Sequence, residues 1–122
     1  MAWIQNQPAA GRFQAVLERA SSGGIELWIS AINVGEVYYL IAKRLSLDSA
    51  ESFLKQFRSL PVKSVVPTET DIIEAARLKG RYRISYADSF AASLAIQQGV
   101  ALITGDADFK RLSPFLDLEW IG

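Results

Sequence analysis

Hydrophobic and polar positions along the chain follow two different periods. Apolar residues recur every three to four positions in five segments, which predicts amphipathic helices, and short continuous apolar runs between them predict strands. The predicted helices span 9–22, 31–44, 48–59, 68–80 and 85–99. The predicted strands span 25–30, 61–67 and 100–104, with "LEWIG" at 118–122 as a final edge strand. This alternation predicts a single α/β domain, residues 1–122, with a mainly parallel sheet.

Residues at the ends of the predicted helices support these boundaries. Ser30 precedes the second helix as its N-cap, and Thr68 with Asp71 forms the pattern of a capping box at the start of the fourth. Ser85 takes the N-cap position before the fifth helix, and Gly99 ends that helix. Local chemistry therefore agrees with the hydrophobic pattern.

Composition restricts the chemistry that such a domain can perform. The 122 residues include no Cys and no His, which excludes disulfides, thiolate or imidazole metal sites and the usual His-dependent nucleophiles. Carboxylates remain as the groups able to hold a divalent cation, and oxygen ligands favour hard cations such as Mg²⁺ or Mn²⁺. No apolar run approaches the roughly 20 residues of a membrane span, and no signal-peptide pattern is present, so we expect a cytoplasmic protein.

Three carboxylates fall near one predicted edge of the sheet, where parallel α/β proteins bind ligands beyond the carboxyl ends of the strands. Asp106 follows the last apolar strand, Asp88 lies in the first turn of the fifth helix, and Glu36 lies in the helix after the first strand. Glu36 has uncharged neighbours on its helix face and no cation at helical-pair distance. Convergence of the three on one edge favours a metal site.

Each carboxylate also has a purely structural interpretation. An isolated Asp106 is typical of a solvated Asx turn, and Asp108 is typical of a cap for the turn that follows. Asp88 with Ser85 is typical of a capping box, and an arginine from another element would satisfy Glu36. These interpretations stay open at this point.

Three segments carry a family resemblance. They are "SAINVGEVYYLIAKR", "RISYADSFAASLAIQQG" and "ALITGDADFKRL". In this order and spacing they resemble the PIN-domain ribonucleases, most closely the VapC toxins of bacterial and archaeal toxin–antitoxin pairs, from about residue 9 to the C-terminus. The resemblance implies a three-layer α/β/α sandwich around a parallel sheet and Mg²⁺- or Mn²⁺-dependent endonuclease activity on RNA.

The resemblance also implies roles for particular residues. The acidic positions that hold the metal and perform catalysis fall on Glu36, Asp88 and Asp106, with Asp108 as an accessory acid that also binds metal. Two polar residues fall in supporting positions, Thr104 and Asn33. Members of the family are commonly homodimers, and a small cognate antitoxin protein covers their acidic groove.

The start of the chain departs from the family pattern. The family begins with a central strand that ends in an Asp followed by Thr or Ser, whereas this chain opens with "MAWIQNQPAAG" and has no acid before Glu18. We expect a shortened start, with true loss of the strand or a strand supplied by a partner chain as alternatives. If the 122 residues are the whole molecule, we expect weak metal affinity, weak or absent activity, and exposed sheet edges that invite dimerisation.

A cationic segment, "RLKGRYR" at 77–83, stands out in a chain of zero formal net charge. Its four cations are Arg77, Lys79, Arg81 and Arg83. The segment directly precedes the fifth helix, which places it to contact RNA phosphates beside the acidic edge. A solvated helix end, with cations favoured at the C-terminus, explains it equally well.

The resulting expectation is a metal-dependent endoribonuclease, the toxin of a toxin–antitoxin pair, that hydrolyses RNA phosphodiester bonds. The first alternative is a catalytically degenerate PIN-like module that binds an antitoxin or RNA without cleaving it, because the first acid is missing. A phospho-acceptor receiver domain ranks last. That class needs an Asp ending a middle strand and a Lys ending a late one, which neither "PVKSVVP" nor "VALITG" provides.

Overall fold

The structure is a computed structural model, and it describes residues 7–104, 106–112, 114 and 116–120, with side chains described from residue 14 onward. Helices and strands alternate along the chain as predicted. The helices are α1 (Gln7–Ser21), α2 (Ala31–Arg44), α3 (Leu47–Phe57), α4 (Glu69–Arg81) and α5 (Tyr86–Gln98). The strands are β1 (Leu27–Ser30), β2 (Val62–Val65), β3 (Leu102–Thr104) and β4 (Leu118–Trp120). A 3₁₀-helix, Ala107–Leu112, lies between β3 and β4 and was not predicted.

The strands pair in parallel, in agreement with the prediction. Leu27 of β1 lies opposite Val62 of β2, and Leu102 of β3 lies opposite Leu118 of β4. Within the described residues the strands form two separate two-stranded sheets, not one continuous sheet. Helix α5 packs against β1 and against β3, so one helix spans both pairs. The predicted absence of an N-terminal strand concerns residues outside the described part of the chain.

The predicted helix caps are present. Ser30 Oγ accepts a hydrogen bond from Ile32 N, and Thr68 and Asp71 form a complete capping box at the start of α4. Ser85 Oγ accepts a bond from Asp88 N at the start of α5. Gly99 ends that helix in the left-handed region at φ 65°, where a residue without a Cβ avoids strain.

Two hydrophobic clusters hold the elements that carry the candidate acids. The first cluster supports α2 against α3 and contains Val37, Ile41, Ala50, Phe53 and Phe57. The second joins α5 to the 3₁₀-helix and contains Ile84, Ala92, Ala95, Phe109, Leu112 and Leu116. The small side chains of the buried alanines let α5 approach its neighbours closely. The clusters therefore fix the helix that bears Glu36 and bring the segments that bear Asp88 and Asp106 together.

The helices of the described region are short or polar in comparison with the apolar interior of a bilayer. None of them is both long enough and apolar enough to cross a membrane.

Candidate functional site

Two buried polar residues mark the carboxyl ends of the strands. Ser30 ends β1 and Thr104 ends β3, and each is less than a tenth exposed. Helix α2 begins directly after Ser30, which places Glu36 in its second turn with a partly exposed side chain. The acids predicted at this edge therefore come from three different elements: Glu36 from α2, Asp88 from α5, and Asp106 from the turn after β3.

Asp88 is the acid whose pKa the other two predicted acids affect. Its side chain is half-buried in the first turn of α5. The pKa of Asp88 is raised from its ordinary value of 3.8 to about 6, chiefly by burial and further by the charges of Asp106 and Glu36, while a hydrogen bond from Ser85 acts in the opposite direction. Since carboxylates repel at short range, this shift means that Glu36 and Asp106 lie close enough to Asp88 to oppose its ionisation. The three predicted acids thus share one electrostatic environment.

Asp106 lies at the start of the turn that leads into the 3₁₀-helix, and two hydrogen bonds fix its position there. Its N–H donates to Thr104 Oγ1 at 3.0 Å, and its Oδ1 accepts from Asp108 N at 2.9 Å. The Asx-turn interpretation is therefore correct for one carboxylate oxygen of Asp106. The turn restricts the orientation of the carboxylate, and the Thr104 hydroxyl anchors the backbone of Asp106.

Asp108 fits the turn interpretation more closely. Its side chain is exposed, as is that of Asp106, and its Oδ1 lies 4.0 Å from Arg111 Nη2. The charges that raise the pKa of Asp88 are those of Asp106 and Glu36. Glu36 and Asp106 thus act electrostatically on Asp88, while Asp108 faces a cation of its own 3₁₀-helix.

Asn33 links two of the acid-bearing helices. The residue is 7% exposed, and its Nδ2 donates to the backbone oxygen of Ala87 at 2.8 Å. Ala87 directly precedes Asp88, and Asn33 lies one turn before Glu36 on α2. The other polar atom of the side chain, Oδ1, is buried and has no hydrogen-bond partner among the described residues.

The donor set at this edge fits a hard divalent cation in its chemistry. It offers carboxylate oxygens in a shared environment and one buried amide oxygen without a partner. Across the described part of the chain, no three acidic residues stand in an arrangement that could hold a metal ion by themselves. Mg²⁺ commonly uses one or two protein carboxylates and keeps several waters, so a complete protein cage is not required.

The cationic segment lies next to the 3₁₀-helix. All four predicted cations are exposed, and Arg77 is paired with Glu74 one turn earlier on α4. Arg111 Nη1 donates to the backbone oxygen of Arg83 at 2.7 Å, which ties the loop before α5 to the segment after β3. Sequence reasoning missed Arg111, although its position three residues after Asp108 on a short helix was a readable sign of an ion pair.

Parallel strand pairs with helices between them define an α/β protein. Within that class, the chain belongs to the PIN domain family, because the model of that family matches residues 1–113. The resemblance found in the sequence is thereby confirmed, and the receiver-domain alternative is excluded.

Solved structures share this fold. A VapBC2 structure from Rickettsia felis, bound to a DNA fragment from its promoter, superimposes with a TM-score of 0.70 and 23% identity, covering 90% of this chain and 84% of that chain. VapC20 of Mycobacterium tuberculosis, described as a Sarcin-Ricin loop cleaving toxin, gives a TM-score of 0.64 and 18% identity over 82% of this chain and 80% of its own. No curated protein matches the sequence. At these identities the similarity confirms the predicted PIN-like α/β fold.

Proposed function

We propose that this protein is a metal-dependent endoribonuclease and the toxin of a toxin–antitoxin pair. The observation that carries the proposal is the match of the PIN domain model to residues 1–113. The charges of Asp106 and Glu36, which act on the half-buried Asp88, support it. Two carboxylates from other parts of the chain thus oppose the ionisation of a third that burial already disfavours, and such an electrostatic setting suits a site that a cation completes. The description of VapC20 as a Sarcin-Ricin loop cleaving toxin supports the same function.

Each residue of the acidic group has a role in this proposal. Glu36, Asp88 and Asp106 hold Mg²⁺ or Mn²⁺, and Asp108 is an accessory acid that screens Arg111. When bound, the cation lowers the pKa of a water and offsets charge on the scissile phosphate, so that no His is needed. Thr104 holds the backbone of Asp106, and Asn33 supports the site from α2. Asp88 has to be ionised to contribute, which favours neutral pH.

The partners follow from the same proposal. RNA is the substrate, and the exposed cations of 77–83 contact its phosphates, with Arg77 contributing least because Glu74 already pairs with it. A cognate antitoxin covers the acidic edge, and the protein acts as a homodimer in the cytoplasm.

A second function remains in competition with cleavage. A degenerate PIN module that binds RNA or an antitoxin without cutting is favoured by one observation: the described residues contain no group of three acids able to hold a metal ion alone. Both functions predict binding of RNA or an antitoxin, but only the nuclease predicts metal-dependent cleavage of RNA.

The deciding experiment is an RNase assay with Mg²⁺ or Mn²⁺, an EDTA control, and Asp88→Asn beside the wild type. Asp48→Asn is a matched control, because Asp48 is also an acid in the first turn of a helix but is exposed. We expect cleavage that EDTA and Asp88→Asn abolish and that Asp48→Asn leaves intact. Cleavage that survives both EDTA and Asp88→Asn would refute the metal-nuclease proposal, and metal-independent RNA binding without cleavage would establish the degenerate module.

A further inference from the structure

Asn33 occupies a position that is unusual for its residue type. Asn is mostly found at protein surfaces, yet this side chain is 7% exposed on a helix whose other buried residues are Val37 and Ile41. A buried polar side chain on an apolar helix face needs a reason, because it has to be satisfied by hydrogen bonds that an apolar residue would not require.

The bond from Asn33 to Ala87 is not needed to satisfy Ala87. The carbonyl of Ala87 lies inside α5, where the helix's own ladder already supplies a donor four residues later. The additional bond joins α2 to α5 at the residue before Asp88 and one turn before Glu36. Its effect is therefore to fix the distance between the two helices where each carries an acid.

The carbonyl oxygen of Asn33 is the second observation. Oδ1 is buried and has no partner among the described residues, although buried polar atoms are nearly always paired. Leu has nearly the same size and would remove this unsatisfied atom. An oxygen that keeps its hydrogen-bonding capacity free, on a side chain bonded to the residue before Asp88, is suited to accept a hydrogen bond from a bound water.

We propose that Asn33 is a positioning residue for Glu36 and Asp88: its amide N–H fixes the separation of the two carboxylates, and its free oxygen accepts a hydrogen bond from a water carried by the bound cation. This inference rests on the proposed metal-dependent function. Partners of this kind orient metal ligands in many sites, and their loss typically weakens metal binding about 10–100-fold.

The test measures Mn²⁺ affinity by titration calorimetry and the melting temperature in EDTA for the wild type, Asn33→Leu and Asn33→Ser. Ser93→Ala is the matched control, because Ser93 is similarly buried and hydrogen-bonded on α5 but lies away from the first turn. We expect Asn33→Leu to bind Mn²⁺ at least about tenfold more weakly. Its metal-free melting temperature should equal or exceed that of the wild type, since an unsatisfied oxygen has been removed.

A purely structural role predicts the opposite pattern. Asn33→Leu would then melt at a lower temperature and bind Mn²⁺ as the wild type does, and either an unchanged affinity or an equal loss in Ser93→Ala overturns the inference. If Asn33→Leu does not fold, Asn33→Ser provides the same comparison with a smaller change in shape.

A double-mutant cycle with Glu36→Gln tests the positioning mechanism itself. In the Glu36→Gln background there is no longer a pair of carboxylates to space, so Asn33→Leu should change the Mn²⁺ affinity by less than in the wild type. Equal effects in both backgrounds overturn the positioning role. A wild-type protein that binds no divalent cation would refute the proposed function, whereas normal wild-type binding with an unaffected Asn33→Leu refutes only this inference.

Discussion

Replacing Asp88 by Asn should stabilise the metal-free protein at neutral pH. The fold raises the pKa of this carboxyl from 3.8 to about 6, first through burial and then through the charges of Asp106 and Glu36. A raised pKa in the folded state means that folding disfavours the ionised form. The neutral amide of Asn avoids this cost while keeping nearly the same shape.

The magnitude follows from the size of the shift. One pKa unit corresponds to ~1.4 kcal/mol, so a shift from 3.8 to about 6 corresponds to ~3 kcal/mol. Because Asp88 is only half-buried, solvent screening reduces the expected gain to about 1–2 kcal/mol. The favourable contribution of the protonated acid is fully present below the unfolded-state pKa and is lost as the pH rises through about 6.

The assay is urea unfolding in EDTA at two pH values, one near neutral and one below about 4. Near neutral pH, Asp88→Asn should raise the free energy of unfolding, and at the lower pH it should leave that free energy unchanged. Asp48→Asn is the control. Its exposed acid favours the N-terminus of α3, so its loss should destabilise the protein by about 0.3–1 kcal/mol near neutral pH.

The direction of the effect should reverse when Mn²⁺ is added. The cation binds the folded wild type, and at a hundred times its Kd it would stabilise that protein by ~2.7 kcal/mol. The free energy of unfolding of Asp88→Asn should rise little when Mn²⁺ is added. If Asp88→Asn is no more stable than Asp48→Asn in EDTA near neutral pH, then neither burial nor the charges of Asp106 and Glu36 oppose the ionisation of Asp88, and the electrostatic basis of the proposed site is wrong.

Two further predictions concern the elements around the acids. Arg81→Gln with Arg83→Gln should weaken binding of single-stranded RNA in fluorescence anisotropy, and the slope of log K against log salt concentration should become shallower by ~0.7 per lost phosphate contact. Lys63→Gln on β2 should change neither the affinity nor the slope. An unchanged slope in the double variant would favour a solvated helix end. Thr104→Val should lower the free energy of unfolding by about 1–3 kcal/mol, because the Asp106 N–H loses its acceptor. Thr70→Val, at an exposed threonine, should have little effect. Equal losses in the two variants would contradict the anchoring role of Thr104.

The sequence alone determined the local features of this protein. Helix and strand order follow from the hydrophobic period, and the caps at Ser30, Thr68 and Ser85 follow from side chains that bond N–H groups only a few residues away. The absence of Cys and His restricts any metal site to oxygen ligands. Family membership was also readable, because three segments keep their order and spacing.

Tertiary structure alone decided how those features meet. The separation into two parallel strand pairs and the bond from Asn33 to Ala87 join residues far apart in the chain. The same holds for the raised pKa of Asp88, which depends on burial and on charges from two other elements. The capping-box and Asx-turn patterns were equally compatible with function or with simple capping. Only the folded arrangement showed that Asp88 and Asp108 lie in different environments. Desolvation and repulsion between carboxylates arise from packing across the chain, and they produce no periodic pattern in the sequence.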